Sequence, residues 1–177
     1  MSVPTYHLKP HPDHAPALVD SVQVEVWGSR TDLMLRYHVG GRSKLIWPQA
    51  ADPTRADGLW RTTCFELFLR PDDHEQYFEF NFSPSKRWAA YAFTSYRKDM
   101  VPLEVDTPPD IEPFPGGVEA NCLLDRLPRG ALQMALAAVI EEEGGVKSYW
   151  SLAHPPGLPD FHHPACFTAR LPAVGGA

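Results

Sequence analysis

Between Thr62 and Phe93 three runs follow one another, TTCFELFL, YFEFNF and WAAYAF, and in each the apolar side chains recur at every second position over no more than a strand's length. A helix gathers residues three and four apart onto one side; an extended chain gathers every second one. In the middle run Phe78, Phe80 and Phe82 share one side and Tyr77, Glu79 and Asn81 the other, so the strand has a core side and a polar side. In the run before it, Thr63, Phe65, Leu67 and Leu69 face one way and Thr62, Cys64, Glu66 and Phe68 the other. Both sides are largely apolar, the pattern of a central strand. A chain carrying this block must build a sheet.

The flanking segments repeat the pattern. VQVEVWG (Val22 to Gly28) alternates, SRTD turns, and LMLRYHVGG (Leu33 to Gly41) alternates again, which predicts a hairpin. KLIWPQ offers a further short strand stopped by Pro48, and AADPTRADG is a polar loop with room for a helical turn. EVDTPPDIEPFPGG reads as an ordered crossover along the surface, since its acids and prolines cannot build a core. LQMALAAVIEEEGG is rich in helix-favouring residues. Yet Leu132, Met134, Leu136, Ala138 and Ile140 alternate without a break and a Gly-Gly turn leads on to VKSYWSLAH, so both are read as strands, and CFTARLPA supplies the last. With 19 prolines and 12 glycines cutting the chain into short pieces, the expectation is all-β: about nine or ten strands in a two-sheet antiparallel β-sandwich of jelly-roll type. It is read as a single domain over residues 1–177.

The formal charge of −6 offers no basic field for a nucleic-acid backbone or an anionic membrane, so neither is expected as a partner. Cys64, Cys122 and Cys166 are odd in number and far apart, without CxxC spacing, and read as buried small apolar residues of a reducing compartment. The opening MSVPTYHLKPHPDHAP lacks the basic start and apolar stretch of a secretory signal, and no run approaches a membrane span; the expectation is a cytoplasmic protein.

Three features bear on chemistry. HPPGLPDFHHPACF places His154, Asp160, His162 and His163, all competent metal ligands, on one loop. Adjacent residues of an extended chain point opposite ways, however, so His162 and His163 do not readily face one ion, and the favoured reading is that Asp160 and one histidine hydrogen-bond backbone groups of a proline-rich loop. Glu66 is a carboxylate in a nearly apolar strand and needs a partner. Arg61, Arg87 and Asn81 are the nearest candidates, either in a structural ion pair or beside an exposed aromatic as a grip on sugar hydroxyls. Trp60, Trp88 and Trp150 are each either core or a stacking platform for a pyranose ring, and Trp60, at a loop-to-strand junction, is the one expected to be exposed. There is no GxSxG and no phosphate-binding glycine loop. Glu66 with Glu79 makes a possible carboxylate pair that nothing else in the sequence singles out.

Taken together, W-x5-E at Trp60 to Glu66, NFSPS at Asn81 to Ser85, Arg87 soon after, and the closing FHHPACF resemble the DOMON-like proteins related to family-9 carbohydrate-binding modules, over roughly residues 20–172. The resemblance implies a β-sandwich that holds sugar between two aromatic side chains, with acidic, amide and arginine groups on its hydroxyls. It places Trp60, Glu66 and Arg87 in the site, with Trp150 or Phe161 as the second aromatic and His162 on the cleft wall. Structural calcium occurs among such relatives and haem among other DOMON domains; no calcium loop and no haem-ligand pair is recognisable here, so no cofactor is expected beyond the structural calcium that the resemblance allows. The reading is a non-catalytic binder of a saccharide-like small molecule through Trp60, Glu66, Asn81, Arg87, Trp150, Phe161 and His162. The alternatives are a small-substrate or metal-dependent enzyme using Glu66 or the His154/Asp160/His162 group, and a haem or redox module.

Overall fold

The computed structural model describes residues 3–41 and 44–171. Among them the only helical pieces are two short 3-10 turns, Leu59–Arg61 and Pro164–Cys166. The rest of the regular structure is one antiparallel 12-stranded sheet. In chain order its strands are β1 (Thr5–Pro10), β2 (Val19–Gly28), β3 (Asp32–Gly41), β4 (Cys64–Pro71), β5 (Tyr77–Phe82), β6 (Trp88–Phe93), β7 (Val101–Pro102), β8 (Asp110–Phe114), β9 (Gly117–Leu123), β10 (Leu132–Glu141), β11 (Lys147–Ser151) and β12 (Ala169–Leu171).

Across the sheet the order is β7-β6-β5-β4-β10-β11-β1-β2-β3-β9-β8, with β12 also on β10. β1 is the joint. Its first residues, Thr5 to Leu8, pair with Glu25 to Val22 of β2, and its last two, Lys9 and Pro10, pair with Ser151 and Trp150 of β11. The expected pair of separate sheets is therefore one curled sheet, because a single strand is shared lengthwise between two arms. The arms face each other across a common core. Tyr37 of β3 packs on Phe65 of β4 with ring centroids 5.0 Å apart, and its hydroxyl donates to the Glu66 carbonyl at 2.8 Å. Leu35, Val118 and Ala120 from one arm, and Leu67, Phe80, Phe82 and Leu136 from the other, are buried in the same cluster.

Two further expectations need correction. KLIWPQ forms no strand: Leu45 makes an isolated bridge to Glu142, and Leu45 and Trp47 pack against the core without a ladder. The proline-rich crossover, by contrast, includes β8, paired with β9 from Asp110↔Asn121 to Phe114↔Gly117. It lies at the end of the sheet, where the missing N–H of Pro113 costs no ladder bond. All three cysteines are free and buried.

The other surprise is on the outside of the β6-β5-β4-β10 arm. Tyr77, Glu79 and Asn81, which the alternation assigns to a polar side, are 2%, 5% and 1% exposed. The long segment after β11 lies over them and adds Phe161, Cys166 and Phe167 to a second buried cluster with Phe68, Tyr77, Tyr91 and Phe93. The loop that leads out of β11 thus turns the polar side of a half-buried sheet into an interior.

Candidate functional site

The antiparallel register fixes the layout of this covered face. Glu66 lies opposite Asn81 on β5 and Ala137 on β10, and Glu79 lies opposite Phe68 on β4 and Tyr91 on β6. Ala89 stands opposite Asn81 on the far side. Small alanines therefore flank this row, Ala137 beside Glu66 and Ala89 beside Asn81.

Glu66 is 3% exposed, and its carboxylate makes no hydrogen bond or ion pair among the described residues. Burial, reinforced by the charge of Glu79, pushes its pKa well above the usual carboxylate range. Glu79 Oε1 accepts from Asn81 Nδ2 at 3.0 Å. Burial raises Glu79 to about 7, against the opposing pull of that hydrogen bond and of Arg97. Because Asn81 spends its N–H on Glu79, the other end of its amide, Oδ1, is a buried acceptor with no donor.

Beside Glu79 sits His162. Its Nδ1 is 2.8 Å from the Tyr77 hydroxyl, and that hydroxyl also accepts the Arg97 backbone N–H at 3.2 Å. Burial, with help from Arg97, lowers His162 to about 4, so the ring is neutral at physiological pH. With Tyr77 as the donor to Nδ1 the proton is on Nε2, and Nε2 lies 3.8 Å from Glu79 Oε2. At neutral pH this last contact is a neutral donor beside a carboxyl, not an ion pair. Asp160 anchors the loop that delivers His162: it accepts from Tyr96 Oη, from Arg97 Nη2 at 2.7 Å and from the His162 backbone N–H at 3.1 Å.

On the other flank the Leu59–Arg61 turn precedes β4 and packs against β4 and β5. Gly58 begins it in the left-handed region without a side-chain cap; Arg61 N–H donates to Gly58 O at 3.1 Å, Thr62 N–H to Leu59 O at 3.4 Å, and Lys147 Nζ to Arg61 O at 2.5 Å. Leu59 packs into the covered cluster, whereas Trp60 is 51% exposed. Upstream of the turn, Arg55 pins the segment by donating to Ala90 O (2.8 Å) and Leu103 O (2.6 Å). Arg87, at the start of β6, is exposed on the face that carries Ala89 and forms no ion pair among the described residues.

Register and burial therefore bring Glu66, Asn81, Phe161 and His162 to one covered face, with Trp60 and Arg87 at its rim. Trp150 does not join them. It pairs with Ala138 and points into the main core, 2% exposed, its Nε1 donating to Ser148 Oγ at 2.9 Å, so its ring has no open face for a ligand. Trp88 is likewise in the main core. The His154/Asp160/His162 group is not a group in space. His154 hydrogen-bonds Lys9 O at 2.8 Å and packs on His11, away from the partners of Asp160 and His162. Among the described residues no set of three or more His, Cys, Asp or Glu side chains is arranged to hold a metal ion. His163 caps the Pro164–Cys166 turn by accepting from the Ala165 N–H at 3.1 Å.

The sequence reading did not single out Tyr77, Asp160 with Arg97, or the packing of Leu59 against the covered cluster. The first was legible, since Tyr77 and Glu79 alternate in phase with Asn81; the other two rest on contacts between distant loops. Two grooves lie near this face or opposite it. One of about 390 Å³ opens past His162, among Arg70, Tyr77, Tyr96 and Lys98. The other, about 580 Å³, lies on the opposite arm among Gln23, Arg36, His38 and Phe114. There Glu119 and Glu112 already have partners, Arg36 and Lys86, and neither groove is lined by Glu66 or Asn81.

The structure matches a putative carbohydrate-binding protein from Bacteroides uniformis ATCC 8492, with TM-score 0.65, 16% identity, and coverage of 96% of this chain and 85% of that one. It also matches a family-9 carbohydrate-binding module from Caldicellulosiruptor kristjanssonii in complex with cellotriose, with TM-score 0.57, 11% identity, and coverage of 99% and 84%. At such identities the likeness is one of fold. No protein-family model and no curated protein sequence matches the chain. No helix among the described residues is long and apolar enough to cross a membrane.

Proposed function

We propose that the chain is a non-catalytic, DOMON-like module that binds a saccharide on the covered face of the β6-β5-β4-β10 arm. Trp60 is the stacking platform, Glu66 and Asn81 take hydroxyls from below, Arg87 reaches in from the rim, and the loop bearing Phe161 and His162 is the far wall. The observation that carries the reading is a buried amide oxygen without a donor, Asn81 Oδ1, directly opposite Glu66, a residue 3% exposed whose carboxylate makes no hydrogen bond or ion pair among the described residues. Unsatisfied polar groups at this depth are uncommon and costly, and hydroxyl donors from a ligand would satisfy them. The shared fold with a carbohydrate-binding module supports the choice of ligand class. With Glu66 only 3% exposed, a ligand needs the cover of this face to open, and the reading puts that opening at the Leu59–Arg61 turn, which packs on β4 and β5 and starts without a side-chain cap.

Calorimetry against a panel of monosaccharides and short glucans tests this. At least one sugar should bind with modest affinity, and Trp60→Ala should weaken it by about tenfold or more, as expected for loss of one stacked aromatic. The absence of heat with every sugar, or an affinity indifferent to Trp60→Ala, would sink the proposal.

A further inference from the structure

With its carboxyls ionised, the covered face is unbalanced in one direction, with acceptors outnumbering donors. Glu66 contributes a carboxylate that makes no hydrogen bond or ion pair among the described residues, and Asn81 contributes a buried Oδ1 that receives nothing. Glu79 Oε2 has only the neutral His162 ring at 3.8 Å. The cations nearby do not compensate: Arg97 is ion-paired with Asp160 at 2.7 Å, Arg61 lies over the Trp60 ring at 5.7 Å, and Arg87 forms no ion pair among the described residues. The other titratable groups facing the pair are Cys64 on the same strand, Tyr77 on β5, Tyr91 on β6 with its partner Asp57, and Tyr37, whose hydroxyl meets the Glu66 carbonyl. None of these brings a positive charge.

A sugar hydroxyl offers one donor with two acceptor lone pairs and no charge, so it satisfies such a site incompletely. A protonated primary amine offers three donors, no acceptor and the missing charge. Resting on the saccharide reading above, we propose that the ligand is an amino sugar with a free amine, its ammonium held by Glu66, Asn81 Oδ1 and Glu79.

The raised pKa of Glu79, about 7, gives the binding a direction with pH. The empty face holds protons that an arriving ammonium must displace, so binding releases protons and strengthens as pH rises toward neutrality. It weakens again once the amine itself loses its proton.

The test is titration calorimetry of the full chain with glucosamine, galactosamine and mannosamine, each against its neutral parent hexose and its N-acetyl derivative, in buffers of different ionisation enthalpy. At neutral pH at least one amino hexose should bind about tenfold or more tightly than its parent and its N-acetyl form, with proton release. Glu66→Gln and Glu79→Gln should each abolish that preference while the melting profile shows a folded protein. Equal affinity for amine and parent, without proton release, would overturn the amine assignment and leave the saccharide reading standing. Silence toward every sugar, neutral and amino alike, would overturn both.

Discussion

Replacing Glu66 with glutamine is expected to stabilise the protein at about pH 8, and to do so far less at about pH 5. A carboxyl whose pKa is raised by folding keeps its proton in the native state at pH values where the unfolded chain has released it. Stability is then highest below the unfolded value and falls as pH rises through the folded one. Glu79 moves from 4.5 to about 7, and Glu66, more deeply desolvated and facing Glu79, moves in the same direction. His162 works the other way: it falls from 6.5 to about 4, so stability rises with pH across that window and is level above it. Between about pH 4.5 and 6.5 the Glu79 and His162 contributions offset each other. What remains at higher pH is the cost of two adjacent buried carboxylates. Glutamine keeps the shape of Glu66, supplies an N–H for Asn81 Oδ1, and removes the charge that raises its neighbour. The expected gain at about pH 8 is on the order of 2–3 kcal/mol, or several degrees in Tm for a domain of this size. Thermal melts of both proteins across pH check it. A variant less stable at every pH would mean that Glu66 is held by a structural hydrogen bond rather than left in want of a partner.

That prediction depends on a face the sequence showed only in part. Strand identity was legible from periodicity because both sides of β4 and one side of β5 are apolar, and the same phase put Glu66, Phe68, Glu79 and Asn81 on a common side once the strands paired in sequence order. Even β10, with a helix former's composition, was legible, since alternation from Leu132 to Ile140 outweighs intrinsic propensity when each apolar residue reaches the core. The burial of that common side was not legible. It depends on Phe161 and Phe167 crossing back over strands more than sixty residues earlier in the chain, a contact that leaves no local pattern. The continuity of the sheet was hidden for a similar reason: β1 divides its six residues between two partners, and TYHLKP carries no sign of the division. Trp150 shows the limit of reading by residue type. An indole in a closing segment looks like a platform, and only its pairing with Ala138 shows that it points inward.

Asp160→Ala is expected to loosen the loop that makes this face an interior. The carboxylate accepts from Tyr96, Arg97 and the His162 backbone, and it is 16% exposed on its side chain against 51% for Arg97. Burial alone would raise its pKa, but the hydrogen bonds from Tyr96 and Arg97 outweigh burial and hold it below the usual carboxylate range. Its contribution is therefore present above the unfolded carboxylate value and is lost as pH falls through the lower, folded one. The half-exposed ion pair contributes little, so the cost of the substitution comes mainly from the Tyr96 and His162 bonds, in total about 2–3 kcal/mol. The clearest readout is chemical. Cys166 is buried, with Sγ donating to Ala153 O at 3.2 Å and Asp160 O at 3.3 Å, and burial raises its pKa to about 11. In the native protein it should resist alkylation; in Asp160→Ala it should react several-fold faster, located by mass mapping against Cys64 and Cys122. Asp160→Asn, which keeps an acceptor for the His162 N–H, should fall between the two. Unchanged Cys166 reactivity in the alanine variant would show that Phe161 and Phe167 hold the loop by packing alone. In that case His162 would keep its place beside Glu79 without Asp160, and the wall of the site would belong to the hydrophobic cluster rather than to the ion pair.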